Sequence, residues 1–259
     1  MSNEYMKPVC FVIGAGAGIG GNVGRRFARE GYHAVLCRRS DEDGLKEIVA
    51  EIEGEGGSAS GCLLNAIEEG AIEDRVASTE ADIGPVEVAV YNLGAQIGDR
   101  PLKDTPYKAF EMGWRLGTFG LFRLASVLTP LMEERGQGVI LVTSATAAVR
   151  GNRGQHSHAA AMGGRRMLCQ SLNAQFSSKG IHVAHILVDG AVDAPDTLGK
   201  MLGPEGFQKL RETRGLEHDG LMLPEKIADT YFHVAQQHRS VWTHELDLRA
   251  FSDLPWWNH

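Results

Sequence analysis

The stretch Val9-Cys10-Phe11-Val12-Ile13-Gly14-Ala15-Gly16-Ala17-Gly18-Ile19-Gly20-Gly21 decides how the rest of the chain is read. Five apolar residues make a run of the length of a buried strand, and a glycine-rich turn ends it. Residues Gly18 to Glu30 then read as a helix that carries Arg25, Arg26 and Arg29. Glycines let a backbone approach a phosphate closely, and a helix N-terminus offers free N–H groups at the positive end of its dipole. Two spacings overlap here: Gly16, Gly18 and Gly21 fit G-x-G-x-x-G, while Gly14, Gly18 and Gly20 fit G-x-x-x-G-x-G. The second starts directly at the strand end and is preferred; the alternative is a tight turn with no ligand.

Outward from this turn, short apolar runs alternate with helical stretches. Strands are predicted at Val9–Ile13, His33–Cys37, Ala59–Leu64, Val86–Tyr91, Val139–Thr143, His182–Val188 and Trp242–Leu248. Helices are predicted at Gly18–Glu30, Asp41–Glu53, Glu68–Asp82, Pro106–Glu134, Gly154–Ser178 and Pro224–Gln237. Repeated strand-then-helix order implies an α/β fold: a doubly wound, Rossmann-type parallel sheet of about seven strands with helices on both faces. No repeat or linker divides the chain, so residues 1–259 are expected to form a single domain. Residues 193–223 have weak strand character and read as a substrate lid or an irregular helical insert.

Composition narrows the function. The 259 residues are 43% apolar, enough for a sizeable core. The net charge of −7 argues against a nucleic-acid partner, for which a basic surface is the usual footprint. No apolar stretch reaches the ~20 residues of a membrane helix, and the polar start carries no signal-peptide pattern. Cys10, Cys37, Cys62 and Cys169 are far apart and form no metal-ligand spacing. They read as free thiols in a reducing cytoplasm, with no bound metal. Glycine is in excess, 32 residues against a usual share of about 7%.

The end of the second strand bears on the choice of dinucleotide. An NAD site usually places Asp or Glu there to bond the ribose hydroxyls. Here the strand ends Leu36-Cys37-Arg38-Arg39, and the first acid is Asp41. Two guanidinium groups suit a 2′-phosphate, so NADP is favoured over NAD. The alternative is that both arginines are merely solvated.

With these residues in place the chain resembles the short-chain dehydrogenase/reductase family over residues 8 to 250. Gly14, Gly18, Ile19 and Gly20 match its glycine motif, and Gly16 lies within it. Asn92 and Gly94, in Tyr91-Asn92-Leu93-Gly94, match its Asn-Asn-Ala-Gly element imperfectly. Asn65 stands where the family has an aspartate facing the adenine. Gly190, Ala191 and Val192 follow the sixth strand where the family has Pro-Gly-x-Val, with Asp189 in place of the proline. The resemblance implies that this loop meets the nicotinamide carboxamide. It also implies a small-molecule substrate and a homodimer or homotetramer.

The family's catalytic Asn, Ser, Tyr and Lys are not where it keeps them. Alignment places Gly117 at the asparagine, Ala145 (between Ser144 and Thr146) at the serine, His158 at the tyrosine and Met162 at the lysine. The family's lysine lowers the pKa of its tyrosine by opposite-charge stabilisation. An imidazole, with a reference pKa near 6.5, needs no such help. His158 is therefore the candidate proton donor, and Ser144 or Thr146 the group that polarises the substrate oxygen. Arg150 and Arg153 could receive an anionic substrate group or simply be solvated. The reading is an NADP-preferring oxidoreductase acting on a small carbonyl or alcohol with a non-standard active site. The alternatives are a nucleotide-binding sensor or scaffold without redox catalysis, and a non-redox elimination or isomerisation on the same fold. Gly163 and Gly164, inside the fifth helical stretch, are expected at a helix interface between subunits. Pro255-Trp256-Trp257 is expected to dock on a neighbour or on the rim of the pocket.

Overall fold

A computed structural model describes residues 6–94 and 100–258. Seven strands form one sheet: β1 Val9–Ile13, β2 His33–Arg38, β3 Ser58–Leu63, β4 Val86–Tyr91, β5 Gly138–Ala145, β6 Ile181–Val188 and β7 Glu245–Leu248. Their order is β3-β2-β1-β4-β5-β6-β7, and every pairing is parallel. The helices are α1 Ile19–Arg29, α2 Glu42–Gly54, α3 Ala71–Asp82, α4 Tyr107–Trp114, α5 Gly120–Arg135, α6 His156–Phe176, α7 Lys200–Arg214 and α8 Pro224–Ala235.

Alternation along β1 explains the two-sided core. Val9, Phe11 and Ile13 face α3, α5 and α6, where Val76, Leu124, Leu128 and Cys169 close the layer. Cys10 and Val12 face α1, α2 and α8, against Val23, Phe27, Ile48 and Tyr231. Burying each large side chain stabilises the fold by roughly 1.5–3 kcal/mol relative to exposure. Strands covered on both faces need apolar residues at every position, which is why they read as continuous runs. The strand order reverses between β1 and β4, and that switch point opens a crevice at the carboxyl ends of the strands.

Two predicted elements are corrected. The long helix expected at Pro106–Glu134 is broken by a π-helical turn, Arg115–Phe119, between α4 and α5. Its cause lies elsewhere in the chain. The Tyr91 hydroxyl donates to the Leu116 carbonyl at 2.6 Å, and the Arg165 Nε–H donates to the Gly117 carbonyl. The wider turn releases both carbonyls to those partners. Trp242–Leu248 shortens to Glu245–Leu248.

The insert at 193–223 is an irregular helical one. Asp193 N–H donates to the Met222 carbonyl and Met222 N–H to that of Ala191, which pins its two ends together. Between them lie a π-helical turn, Pro195–Gly199, and α7, kinked where Gly203 takes φ +73°.

Candidate functional site

Gly14 ends β1 at φ +96°, a left-handed conformation in which a Cβ would lie 2.7 Å from the Asn92 carbonyl oxygen. The Cys37 carbonyl accepts from the N–H groups of both Gly14 and Ala15, so the turn is tied to the end of β2. Asn92 ties it to β4, its Nδ2 donating to the Gly14 carbonyl at 2.9 Å. Helix α1 then starts with no side-chain cap and no acid in its first turn. Such an end, with unpaired N–H groups and a positive dipole, is prepared for an anion.

The turn opens into a cleft of about 480 Å³. Gly14, Gly16, Gly18, Ile19, Gly20, Arg38, Arg39, Asn65, Asn92, Gly94, Val192, Ser144 and His158 all line it. Asn65 Oδ1 is buried there without a hydrogen-bond partner, while its Nδ2 donates to Glu68. A glycine cradle, an uncapped helix and an orphaned acceptor together fit a dinucleotide. Two expected residues are not in this cleft. Thr146 and Gly190 line an adjoining cavity that shares Ala145 and His158 with it.

The carboxyl end of β2 differs from the simplest expectation. Arg38 is largely buried and carries two counter-ions, Asp41 Oδ2 at 2.9 Å and Asp196 Oδ2 at 3.2 Å. Asp41, in a left-handed conformation, also caps α2 by accepting from Gly44 N–H. Asp196 reaches in from the insert and accepts from Ala17 N–H at 3.0 Å. That bond, with the charges of Lys200 and Arg38, holds its carboxyl below the usual range. Arg39 is exposed and makes no ion pair among the described residues.

On the other side of the cleft, α6 presents His158, Met162 and Arg165 on one face, as their i, i+4, i+7 spacing requires. His158 is 9% exposed, and its Nδ1 has no hydrogen-bond partner. Burial, and then the nearby Arg165 charge, push its pKa below 6.5, so it is neutral at pH 7. This qualifies the expected proton donor: a neutral imidazole accepts a proton well and gives one poorly. Ser144, on β5, is buried in the cleft, and among the described residues only the Met162 sulfur, 4.0 Å away, is its hydroxyl's partner. Thr146 is spoken for, its hydroxyl donating to Asp189 Oδ1 at 3.1 Å. Of the two candidate hydroxyls, Ser144 lines the same cleft as the glycine turn and His158, and Thr146 does not.

Arg165 was not among the expected residues. It is 1% exposed, yet its guanidinium pairs with no carboxylate among the described residues. It donates instead to the carbonyls of Gly117, Thr143 and Leu93, bridging the π-helical turn, β5 and the end of β4. Its face also packs over the Tyr91 ring, 5.2 Å from the centroid. The helical face shared with His158 was the available sequence signal. Asp196 carried no such signal, being 179 residues from the N–H it binds.

Three other expectations resolve locally. Arg150 donates to the Trp256 carbonyl, and Trp256 N–H donates to Asp189 Oδ2 at 3.0 Å, so the terminal tryptophans dock on the rim of their own pocket. Arg153 is exposed. Gly164 is explained within the chain, since a Cβ there would lie 3.1 Å from Thr118 Oγ1, while Gly163 meets nothing within 4 Å.

No group of three or more His, Cys, Asp or Glu among the described residues could hold a metal, and no helix is long and apolar enough to cross a membrane. Comparison with known proteins agrees with the fold and the glycine turn. A family profile described as short chain dehydrogenase matches residues 8–197. The 7alpha-hydroxysteroid dehydrogenase of Escherichia coli (strain K12) is 30% identical over 228 residues, 88% of this chain and 87% of that protein. The crystal structure of a short-chain dehydrogenase from Rhodopseudomonas palustris superposes with a TM-score of 0.78 at 30% identity, covering 94% of this chain and 99% of that one. A 7 alpha-hydroxysteroid dehydrogenase complexed with NADH and 7-oxo glycochenodeoxycholic acid superposes with a TM-score of 0.80 at 26% identity over 96% of each chain. On this evidence of sequence, fold and glycine turn, the chain belongs to the short-chain dehydrogenase/reductase family of oxidoreductases.

Proposed function

We propose that this protein is an NADP-preferring oxidoreductase that interconverts a small carbonyl compound and its alcohol, with His158 as proton acceptor and donor. The observation that carries the reading is the placement of His158 and Ser144 in the same cleft as the glycine turn. A nicotinamide cofactor, when bound, supplies the hydride chemistry. The glycine turn and the α1 N-terminus would hold the pyrophosphate, Asn65 the adenine, and Arg38 and Arg39 the 2′-phosphate. Val192 would wall the nicotinamide side.

In the oxidative direction neutral His158 takes the proton from the substrate hydroxyl, and Ser144 donates a hydrogen bond to the same oxygen. In the reductive direction His158 must first be protonated, which its lowered pKa makes less favourable at neutral pH. Arg165 disfavours a charged imidazole and favours an oxygen with developing negative charge.

Preference for NADP is supported by Arg39, which is free to meet a phosphate, and by Arg38, which can exchange Asp196 for one. Oligomer formation is supported by an exposed aromatic stripe on α4, the π-helical turn and α5, where Trp114, Phe119 and Phe122 stack in series. That face joins the Gly163–Gly164 stretch, where Gly163 meets nothing within 4 Å, as a candidate contact in a homodimer or homotetramer.

The test is a fluorescence titration with NADPH and NADH, then a screen of carbonyl compounds for cofactor oxidation with wild type and His158→Ala. Turnover that collapses in His158→Ala is the expected result. Unchanged turnover would remove His158 from the mechanism. NADPH binding without turnover would favour a nucleotide-binding sensor or scaffold, and no binding of either cofactor would refute both.

A further inference from the structure

Strands β2 and β3 run in parallel register, with Cys37 directly opposite Cys62. Both side chains lie on the core face that includes Ile13 and Val35, and their sulfurs are 3.2 Å apart. β3 is an edge strand, and Cys62 is only partly buried, so one of the two thiols can meet solvent. Cys10 and Cys169 are fully buried, with thiols pushed up by burial. The Cys62 thiol is drawn down to about 7 by the hydrogen bond from Cys37, with Arg75 acting in the same sense. Burial holds Cys37 protonated. The pair therefore has the arrangement of an attacking thiolate beside a resolving thiol.

A bridge is within reach of the backbone. Neighbouring strands lie about 4.7–4.9 Å apart, inside the Cα separation of about 4.4–6.8 Å that a disulfide spans. The pair is also wired to the cleft. The Cys37 carbonyl is the acceptor for Gly14 and Ala15 N–H, at 2.8 and 3.0 Å, and the next residue is Arg38.

We propose that Cys62 and Cys37 form a site of reversible oxidation by hydroperoxides, and that the resulting disulfide weakens dinucleotide binding at the adjoining turn. The second half rests on the reading of the glycine turn given above. In the first step the Cys62 thiolate attacks one oxygen of hydrogen peroxide; the O–O bond breaks, Cys62 becomes a sulfenic acid, and the leaving hydroxide takes up the proton that Cys62 had released and departs as water. In the second, the Cys37 sulfur attacks the Cys62 sulfur; the S–S bond forms, the S–O bond breaks, and the hydroxyl leaves with the Cys37 proton as water. Two thiols are oxidised and one peroxide is reduced to water. Any movement of the Cys37 backbone to fit the bridge passes through its carbonyl to the turn and along the chain to Arg38.

The full chain is treated with hydrogen peroxide, and its intact mass, peptide map and NADPH affinity are measured before and after. The expected product is lighter by about 2 Da, carries a Cys37–Cys62 cross-linked peptide, and returns to the starting mass with dithiothreitol. NADPH binding should weaken by about tenfold and recover on reduction. Cys62→Ser should bind NADPH normally and lose the peroxide response, while Cys37→Ala should form no cross-link and instead gain about 16 or 32 Da at Cys62. A gain of about 16 or 32 Da without a cross-link in the wild-type chain would overturn the disulfide. Equal NADPH affinity in both forms would overturn the coupling. Reduced protein that binds no NADPH would overturn the coupling together with the dinucleotide reading, and the mass result would still decide the disulfide.

Discussion

The Asp196 carboxylate accepts from Ala17 N–H at 3.0 Å and lies 3.2 Å from Arg38 Nη2, so one acid answers both the glycine turn and the cation at the end of β2. An anionic ligand reaching either group competes with it. Asp196→Asn removes the charge and keeps the size. NADPH affinity is expected to rise about fivefold to tenfold, roughly 1–1.4 kcal/mol for a partly exposed pair. Isothermal titration of the two proteins checks this, and weaker binding by the variant would show that Asp196 helps to hold the ligand.

Arg38 and Arg39 bear on cofactor choice. Arg38→Ala should cost NADPH binding tenfold or more, on the order of 1.5–3 kcal/mol for a lost charge-assisted bond, and leave NADH binding nearly unchanged. Parallel titrations with both cofactors decide the matter. Equal losses for the two would assign Arg38 to holding the turn.

The neutral state of His158 has a kinetic sign. Burial and Arg165 lower its pKa, so alcohol oxidation should hold its rate above pH 6.5 and decline in acid. Carbonyl reduction should rise as the pH drops below 6.5. Opposite pH profiles for the two directions, measured as kcat/KM, are the expected signature. Parallel profiles would point to another proton carrier.

Arg165 answers three buried carbonyls, so its loss leaves acceptors unpaired. Arg165→Met should destabilise the fold by about 3–5 kcal/mol, seen as a lower Tm and urea midpoint. Arg165→Lys should rescue little of it, because an ammonium lacks the planar fork that reaches three directions.

Acid should unfold the protein early. The pKa of His185 is lowered to about 4 by burial, against which the Glu245 carboxylate 3.0 Å away acts only in part. The unfolded chain takes up this proton first, at about 6.5. Stability from this group is therefore complete above pH 6.5 and lost as the pH falls through about 4, a change of about 3 kcal/mol. His33, His158 and His182, each lowered chiefly by burial, act with the same sign. A Tm measured from pH 7.5 to 4.5 should fall steeply, and His185→Gln should flatten the lower part of the curve.

The five central strands could be read from the sequence because they are covered on both faces and so are written as apolar runs, whereas the half-exposed edge strands β3 and β7 were legible only from the strand–helix alternation. The glycine turn was legible because its reasons are local: a strand end, a left-handed Gly14 and a helix start. The π-helical turn was not, since Tyr91 and Arg165 impose it from outside the helix. The choice between Ser144 and Thr146 was also hidden. It depends on β5 continuing to Ala145, which leaves Ser144 in the cleft and turns Thr146 to Asp189. Asp196 belongs to the site only because the insert folds back over the turn, a contact no spacing rule encodes.

The carbonyl-bound Arg165 changes how the departures from the family's pattern should be understood. Gly117, His158 and Met162, the positions where the resemblance would put the asparagine, tyrosine and lysine, all lie about this one side chain. The guanidinium takes the Gly117 carbonyl, lines the cleft together with Met162, and adds to burial in lowering the His158 pKa. Placing a tyrosine at 158 and a lysine at 162 would put a second buried cation one helical turn from the first. Such a double substitution would be penalised unless Arg165 were replaced with it, so the three positions form one electrostatic unit in which any change of charge must be made jointly.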